Sequence, residues 1–483
     1  MNEEIRVLEP KEIWNNFVDL NAIPRPSKKE EKVTAFMKAF GEGLGLETIV
    51  DAVGNVIIKK PASKGMEGKA AVILQSHLDM VAQKNADTDF DFETQGIEMY
   101  VDGDWVKAKG TTLGADNGIG VATIMALLQS TDLAHPPLEA LFTIDEETGM
   151  TGAMALQPGI LEGTVLLNLD SEDDTEITIG CAGGIDVNIK DKYKPRKTKK
   201  GSQGYQLKVR GLKGGHSGMD IHRGRGNANK ILTRLIWNAQ RKFGLRLSGF
   251  DGGGLRNAIP REAFAIVAVK NGKAEAFEAY IKEASKDIQV ECQTTDPNMV
   301  IELTKVDAPN NLMSGKKAKR VINSLYACQN GIYRMSPDVE GLVQSSNNLA
   351  RVLIADGKIE VQCLTRGSVD SEKMDLACTI KSVFQLAGAK VKFEGSYPGW
   401  MPIPDAPINA IVEKSYRKIM GQEPHITACH AGLECGILKK PYPKVDMISF
   451  GPNIRGAHSP DERTQISSIQ QFWVLTKEIL ANF

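Results

Sequence analysis

Short apolar runs alternate with a helical pattern through the first part of the chain. The run 70–76 (AAVILQS) is continuously apolar, and 138–144 and 164–169 have the same character. Such runs are typical of parallel strands that are covered on both faces. A turn-forming ADNG precedes the apolar segment 118–129, which predicts a buried helix. This alternation predicts an α/β domain with a mixed or parallel sheet and helices on both faces.

Two changes of composition interrupt this pattern. Residues 190–200 (KDKYKPRKTKK) hold seven basic residues and one acid, and we interpret them as a solvated linker or hairpin rather than a nucleic-acid patch. Residues 398–407 contain four prolines, which exclude a regular helix or a central strand. The sequence therefore predicts one domain in two pieces, 1–188 and 398–483, interrupted by a second domain at 189–397.

The inserted segment mixes both kinds of element. Residues 206–210 and 263–270 have strand patterns, whereas 227–243 and 274–285 have helical spacing. Residues 351–364 (RVLIADGKIEVQCL) predict a hairpin with Asp-Gly at its turn. We expect an α+β domain here.

Composition and charge limit the classes of binding partner that we expect. The chain has 483 residues, of which 42% are apolar, and 59 Lys and Arg nearly balance 60 Asp and Glu. We therefore expect neither nucleic acid nor a membrane surface as a partner. No run approaches the ~20 apolar residues of a membrane span, and the acidic N-terminus is unlike a secretory signal. Seven scattered cysteines without a Cys-x-x-Cys pair indicate reduced thiols and a cytoplasmic location.

Acidic and histidine side chains follow the predicted strands of the outer domain or open the helix between them. They are His77, Asp79, Asp116, Glu146, Glu147, Asp170 and, in the returning piece, His458. Because the carboxyl ends of parallel strands meet at one edge of a sheet, we expect these side chains to share a crevice. Each alone has an ordinary explanation as a surface acid, a helix N-cap or a solvated histidine. The combination favours a joint site.

Crowded carboxylates raise one another's pKa, and metal ions are an economical compensation. Two divalent cations exceed the three negative charges of Asp116, Glu147 and Asp170 by one, and a bridging hydroxide balances that excess. His77 and His458 supply neutral nitrogen ligands. Paired metals about 3.5–4 Å apart are an established arrangement for hydrolysis. Nitrogen and oxygen ligands without thiolate suit zinc, with cobalt or manganese as alternatives.

The adjacent acids Glu146 and Glu147 predict two different roles. Successive side chains on a turn diverge, so Glu147 can bind metal while Glu146 faces the bridging hydroxide. Glu146 would then be the general base that later delivers the proton to the leaving amine. Asp79 lies two residues from His77 on the same side of an extended chain, which suits a carboxylate that fixes the tautomer of the imidazole.

The motifs SHLDM, LGADNGIG, IDEETG, LNLD and GAHSPDE together resemble the M20 family of di-metal peptidases over essentially the whole chain. TIGCAGG, GGHSGMDIHRGRGNAN, LRNAIPRE, SSNNLA and HAGLECG look closest to its cytosolic aminoacyl-histidine dipeptidases. The resemblance implies a catalytic domain with two zinc ions, an inserted lid domain and a homodimer formed through the lid. It also implies hydrolysis of dipeptides with a C-terminal histidine, such as β-alanyl-histidine. Finally, it implies that Asp116 bridges the metals, with His77 and Asp170 on one side and Glu147 and His458 on the other.

The inserted domain offers candidates for binding substrate. The loop around His216 is rich in glycine but lacks Gly-Lys-Ser/Thr, which disfavours a phosphate loop. The resemblance instead implies that His216 stabilises the tetrahedral oxyanion. A free C-terminal carboxylate requires arginine and amide donors, for which Arg366 and Asn257 are the candidates, although a surface arginine and a turn asparagine are the ordinary alternatives. His430 is a further candidate for substrate contact.

Other functions stay open at this stage. A related hydrolase, such as a tripeptide aminopeptidase, a carboxypeptidase or an N-acyl amino acid deacylase, has the same metal chemistry. A non-catalytic small-molecule-binding protein is disfavoured because a binder needs no proton shuttle such as Glu146. A nucleotide-binding Rossmann enzyme is disfavoured because no G-x-G-x-x-G follows a strand.

Overall fold

The computed structural model describes residues 2–483, which fold into two compact units. The first unit comprises the chain up to Gly180 together with Pro402–Ala428 and Leu433–Phe483, and the second comprises Cys181–Met401 and Cys429–Gly432. The first segment of the first unit ends at Gly180, whereas the sequence predicted 188. The strand at 183–192 pairs with strands of the second unit and belongs to it.

The helices lie in both units. In chain order they are α1 Glu3–Arg6, α2 Lys11–Asn21, α3 Glu31–Gly43, α4 Ala115–Gln129, α5 Glu146–Gly149, α6 Thr151–Ala155, α7 Ala228–Phe243, α8 Ala274–Cys292, α9 Gly315–Ala327, α10 Asp370–Leu386, α11 Pro407–Met420, α12 Glu434–Leu438 and α13 Ile466–Ala481.

The strands form one large sheet in each unit and a small sheet in the first. In chain order they are β1 Glu47–Val50, β2 Val56–Lys60, β3 Val72–His77, β4 Met99–Asp102, β5 Trp105–Ala108, β6 Leu138–Thr143, β7 Val165–Asn168, β8 Glu176–Cys181, β9 Gly183–Lys192, β10 Ser202–Arg210, β11 Arg246–Gly252, β12 Ala263–Lys270, β13 Val300–Val306, β14 Gly331–Met335, β15 Val343–Ala355, β16 Lys358–Gly367, β17 Lys390–Tyr397, β18 His425–Cys429, β19 Asp446–Ser449, β20 Ile454–Arg455 and β21 Arg463–Gln465.

The main sheet of the first unit has the order β1-β2-β6-β3-β7-β19-β8-β18. Its central strands β6, β3, β7 and β19 are parallel, whereas β1, β2 and β8 pair antiparallel with their neighbours. The predicted α/β class with a mixed sheet is confirmed. Because the central strands are parallel, the segments that follow them begin at the same edge of the sheet.

The central strands and α4 are apolar because they lie inside the core. Every residue of β3 and β6 is buried, and α4 is buried on nearly all sides from Ile119 to Leu128. Helix α2 packs against α4, and α11 packs against α13. The absence of a polar face on α4, unusual for a surface helix, is explained by this enclosure.

The second unit is an antiparallel sheet with helices packed against it. The order is β13-β10-β12-β11-β15-β16-β9-β17, with β14 paired to β15. The predicted hairpin is present as β15 and β16, and its turn residues Asp356 and Gly357 both have positive φ, as a tight two-residue hairpin turn requires. Helices α7, α8, α9 and α10 bury their apolar faces in a core with this sheet.

The proline-rich segment behaves as its composition predicts. Residues 398–406 form neither helix nor named strand, and Pro407 begins α11, where the missing amide proton costs no helical hydrogen bond. Among residues 2–483, no helix combines the length and the apolar character that a membrane crossing requires.

Candidate metal centre

The end of β3 places His77 beside two carboxylates. Its Nε2 atom lies 3.3 Å from Asp116 Oδ1 and 3.5 Å from Asp170 Oδ1. Its Nδ1 atom lies 3.1 Å from the carbonyl oxygen and 3.3 Å from the carboxylate Oδ1 of Asp79. A proton on Nδ1 satisfies these acceptors and leaves the Nε2 lone pair directed at the other two carboxylates. These contacts favour the tautomer that a metal ligand requires.

A second histidine meets the other oxygen of Asp116. His458 lies in the loop between β20 and β21, and its Nε2 atom is 3.2 Å from Asp116 Oδ2 and 2.9 Å from Glu147 Oε2. Asp116 thus directs one oxygen to each histidine. Glu147 Oε1 is buried and has no hydrogen-bond partner among the described residues, so this carboxylate oxygen remains available to a ligand.

The spacing of these atoms fits a pair of cations. Ligand atoms of His77, Asp116 and Asp170 lie within 4.8 Å of one another, and so do those of Asp116, Glu147 and His458. Zinc binds nitrogen and oxygen at about 2.0–2.2 Å, so two ligand atoms on one tetrahedral ion are roughly 3.3 Å apart. The observed N···O separations run from 2.9 to 3.5 Å. The two groups share one carboxylate, as in a bridged pair.

The electrostatics of the cluster favour cations. Burial raises the pKa of Asp170 to about 6, although His77 opposes the shift. Burial also raises the pKa of Glu146 well above its usual range. Hydrogen bonds with Asp116 and Glu147 raise the pKa of His458 to about 11. Carboxylates that hold protons and imidazoles that become strong bases both indicate a local excess of negative charge.

Asp79 connects two of the ligand-bearing segments. Its Oδ1 atom lies near His77 Nδ1 and accepts a hydrogen bond from the Glu146 amide at 3.0 Å. Its Oδ2 atom accepts from Ser27 Oγ at 2.8 Å and from the Glu147 amide at 3.3 Å. Burial would raise the pKa of Asp79, but the hydrogen bond and charge of His77, together with the hydrogen bonds from Ser27 and the Glu146 amide, lower it. One ionised carboxylate therefore contacts His77 and the first turn of α5.

A further acidic group is already satisfied by the protein. Carboxylates of Glu30, Asp79 and Asp145 are buried and lie within 4.8 Å of one another. Asp145 accepts hydrogen bonds from the hydroxyls of Thr148 and Thr151, and Glu30 accepts from the Asp145 amide. These donors give the group a structural role in holding the loop before α5.

In the second unit, the structure brings Arg366 close to His216. Arg366 lies near the end of β16, and its Nη2 atom is 3.4 Å from His216 Nε2. His216 Nδ1 accepts the amides of Gly218 and Met219, so its proton belongs on Nε2. Burial and the neighbouring Arg366 lower the pKa of His216 to about 4. The imidazole is therefore neutral at pH 7 and has an N–H to donate.

His430 and Asn257 belong to the same unit. His430 is buried, and its Nε2 atom lies 2.7 Å from Ser346 Oγ. Burial, with a contribution from Arg366, lowers the pKa of His430 to about 3. Asn257 is exposed in a loop, and its carbonyl oxygen accepts the amide of Ser217 at 2.7 Å. All four substrate-binding candidates thus lie in the second unit.

The sequence reasoning missed two polar residues near these sites. Nothing in the sequence around Tyr397 indicates a role, yet its hydroxyl accepts a hydrogen bond from Arg366 Nη1 at 2.9 Å. Glu434 is fully buried, and its Oε2 atom accepts from Gln75 Nε2 and Thr143 Oγ1, each at 2.6 Å. Glu434 lies within the HAGLECG motif, which could have identified it from the sequence.

The chain is similar to known peptidases over nearly its whole length. The chain is 42% identical over 477 residues to the Cytosol non-specific dipeptidase of Escherichia coli (strain K12), covering 99% of this chain and 98% of that protein. The solved aminoacylhistidine dipeptidase of Vibrio alginolyticus has a TM-score of 0.94 and 44% identity, covering 99% of this chain and 98% of that one.

A more distant structure shows the fold alone. An aminopeptidase from Bacillus cereus has a TM-score of 0.57 and 14% identity, over 98% of this chain and 99% of that one. Residues 73–482 match the sequence pattern of peptidase family M20/M25/M40. The resemblance drawn from the motifs is thereby confirmed at the level of the family, and the chain belongs to peptidase family M20/M25/M40.

Proposed function

We propose that this chain is a metallo-dipeptidase that holds two divalent cations, with zinc as the first choice and cobalt or manganese as alternatives. The observation that carries the proposal is the position of Asp116, whose two oxygens face two separate histidines. His77 and Asp170 would hold one cation with Asp116, and Glu147 and His458 would hold the other.

The chain's own residues divide the remaining work. When bound, the cations would polarise the scissile carbonyl and make water more acidic. Glu146 belongs to neither of the two groups that share Asp116, although it lies beside His77 and Glu147. Its carboxylate would accept a proton from the attacking water and deliver it to the leaving nitrogen. Asp79 would keep the proton of His77 on Nδ1.

The second unit would bind the substrate, as expected of a lid domain. The guanidinium of Arg366 and the side-chain amide of Asn257 would bind the free carboxylate of a dipeptide, since both supply N–H donors. His216 would donate its Nε2 proton to the developing oxyanion, which the tautomer set by Gly218 and Met219 supports. His430 would contact the substrate as a neutral imidazole.

Specificity for dipeptides with a C-terminal histidine is supported by the name of the Vibrio protein, whereas the name of the Escherichia coli protein describes a non-specific dipeptidase. We extend to this chain the cytosolic location in the latter name. A homodimer formed through the second unit rests on the family resemblance. Size selection follows if the carboxylate donors lie a fixed distance from the metals, because a longer peptide would leave them unpaired.

Elemental analysis combined with a substrate panel tests the proposal. The panel comprises β-alanyl-histidine, other dipeptides, a tripeptide and an N-acetyl amino acid. We expect close to two metal ions per chain, dipeptide hydrolysis that a chelator abolishes, and restoration by added zinc, cobalt or manganese. Predominant cleavage of the tripeptide or the N-acetyl amino acid would reject the dipeptidase assignment. Metal-free protein with full activity would reject the mechanism.

A further inference from the structure

Two buried charges lie beside the metal-ligand loops without belonging to either ligand group. Arg25 is 1% exposed and Glu462 is 2% exposed. Burying an ionic group is unfavourable unless hydrogen bonds replace its water shell. In both cases the replacement comes chiefly from the backbone of segments that carry metal ligands.

The carboxylate of Glu462 accepts hydrogen bonds from four successive backbone amides. Oε2 accepts from Leu113 at 2.8 Å and Gly114 at 3.0 Å, and Oε1 accepts from Ala115 at 2.8 Å and Asp116 at 3.1 Å. All four amides lie in the segment that ends at the shared ligand Asp116. Glu462 itself follows His458 by four residues in the GAHSPDE motif. One side chain therefore joins the loops of two ligands.

The guanidinium of Arg25 binds carbonyl oxygens of the same region. Nη1 donates to Leu78 at 3.0 Å and to Asp79 at 3.2 Å, directly after His77, and Nη2 donates to Gly114 at 2.6 Å. The peptide units on either side of Gly114 are thus fixed by opposite charges, with its amide bound to Glu462 and its carbonyl bound to Arg25.

The glycines of LGADNGIG make room for this arrangement. Gly114 has φ +70°, a conformation that L side chains rarely adopt. A Cβ atom at Gly114 or at Gly118 would lie 2.6 Å from Arg25 Nη2, which is a severe overlap. Gly114 and Gly118 therefore leave room for an arginine that lies about ninety residues earlier in the chain.

The position of His458 requires such support. Its backbone φ is +64°, in the left-handed region that non-glycine residues rarely occupy. Its side chain is 55% exposed, so packing alone does not hold it. We infer that Arg25 and Glu462 are positioning residues that keep Asp116 and His458 in the geometry for binding metal. This inference rests on the proposed di-metal site and assigns part of its metal affinity to residues that touch no metal.

Replacing Glu462 tests the inference directly. In Glu462→Gln the shape is kept, but the amide nitrogen cannot accept the two backbone N–H groups that one carboxylate oxygen accepts now. We expect zinc to bind about 10- to 100-fold more weakly, the usual effect of removing a residue that orients a metal ligand. The readout is a titration of the metal-depleted full chain against a chromophoric chelator, which is independent of catalysis.

Glu139 supplies the matched control. It is also buried and also accepts backbone amides, those of Glu162 and Gly163, but it lies near the start of β6, at the end of the strand opposite the one that leads into Glu146 and Glu147. Glu139→Gln should leave zinc affinity within twofold of the unchanged protein, even where it lowers the melting temperature. Arg25→Lys, which keeps the charge but loses the forked geometry, should weaken zinc binding less than Arg25→Met.

Hydrogen exchange in the metal-depleted protein provides a second readout. We expect faster exchange in Glu462→Gln that is confined to residues 113–116, because the segment is released locally. Zinc affinity equal to that of Glu139→Gln, with unchanged exchange at 113–116, would overturn the inference. The unchanged protein separates this failure from failure of the proposed function. If the unchanged protein binds no metal, the di-metal site is rejected. If it binds two ions and Glu462→Gln gives the overturning result, only the positioning role is rejected.

Discussion

The first unit gathers carboxylates around two histidines, whereas the second gathers histidines around an arginine. Hydrogen bonds with Asp116 and Glu147 raise the pKa of His458 to about 11, while burial and Arg366 lower the pKa of His216 to about 4. The surroundings of His458 thus favour positive charge, whereas those of His216 keep that imidazole neutral as a hydrogen-bond donor. The protonation state of a histidine therefore depends on the residues around it.

This contrast predicts that the two clusters respond to substitution differently. Changes in the first unit should alter metal content or turnover, and changes in the second should alter substrate affinity while the metal content stays constant. Loss of metal from a variant of the second unit, or a change of substrate affinity alone in a variant of the first, would break this division.

Glu146→Gln should have the largest effect. The amide cannot accept a proton, so we expect turnover to fall by about 10²- to 10⁴-fold, with metal content near that of the unchanged protein. The measurement is kcat together with elemental analysis. Unchanged turnover would remove Glu146 from the mechanism, and loss of metal would make it a ligand instead.

Arg366→Lys should act on substrate binding. The lysine keeps the charge but loses the fork that binds a carboxylate in two places. A charge-assisted hydrogen bond contributes about 1.5–3 kcal/mol, so we expect kcat/KM for dipeptides to fall about 10- to 100-fold, mainly through KM. Zinc affinity serves as the control and should be unaltered. A fall in kcat with constant KM would contradict the assignment of Arg366 to ground-state binding.

Tyr397→Phe should have a smaller effect of the same kind. The hydroxyl accepts a hydrogen bond from Arg366 Nη1 at 2.9 Å, and its removal leaves the guanidinium less well oriented. Because the guanidinium keeps its charge in this variant, we expect the loss to be about 0.5–1.5 kcal/mol, which corresponds to a KM increase of up to about tenfold. If the double variant with Arg366→Lys shows the full sum of both effects, the two residues act independently and the orienting role is wrong.

His430→Asn should have the smallest effect on substrate affinity, and it should also change the pH dependence of stability. The folded protein holds the pKa of His430 near 3, below its ordinary value of 6.5. Between these values the unfolded chain binds a proton that the folded chain does not, so stability is complete above pH 6.5 and falls as the pH is lowered toward 3. The melting temperature of metal-loaded protein should therefore fall less steeply for the variant. Parallel profiles for both proteins would show that His430 is not neutral in the fold.

The sequence predicted the parallel strands and the residues that follow them, because both signals are local. Continuous apolar runs are required where a strand is covered on two faces, and β3, β6 and β7 were recognised within one or two residues of their observed ends. The convergence of His77 and Asp170 then follows from sheet topology. His458 was connected to them only through its motif, since it comes nine residues after the end of β19.

Other features had no local signal. Arg25 is a single basic residue between two prolines, and nothing in its neighbourhood distinguishes a buried guanidinium from an exposed one. The contact of Tyr397 with Arg366 depends on how β17 and β16 each pair with β9. Such contacts join distant segments, so only the register of the folded sheet reveals them. The tautomer of His216 likewise depends on backbone amides that a sequence does not place.

The first unit is assembled from separate segments of the chain, and this fixes the order in which the proposed metal ligands become available during synthesis. His77 leaves the ribosome long before His458, because 381 residues separate 77 from 458. At about 5–20 residues per second, the interval is roughly 20–80 s. Throughout that interval the nascent polypeptide lacks both the second imidazole and Glu462. Under the proposed assignment, both cation sites are therefore complete only after residue 458 has been synthesised.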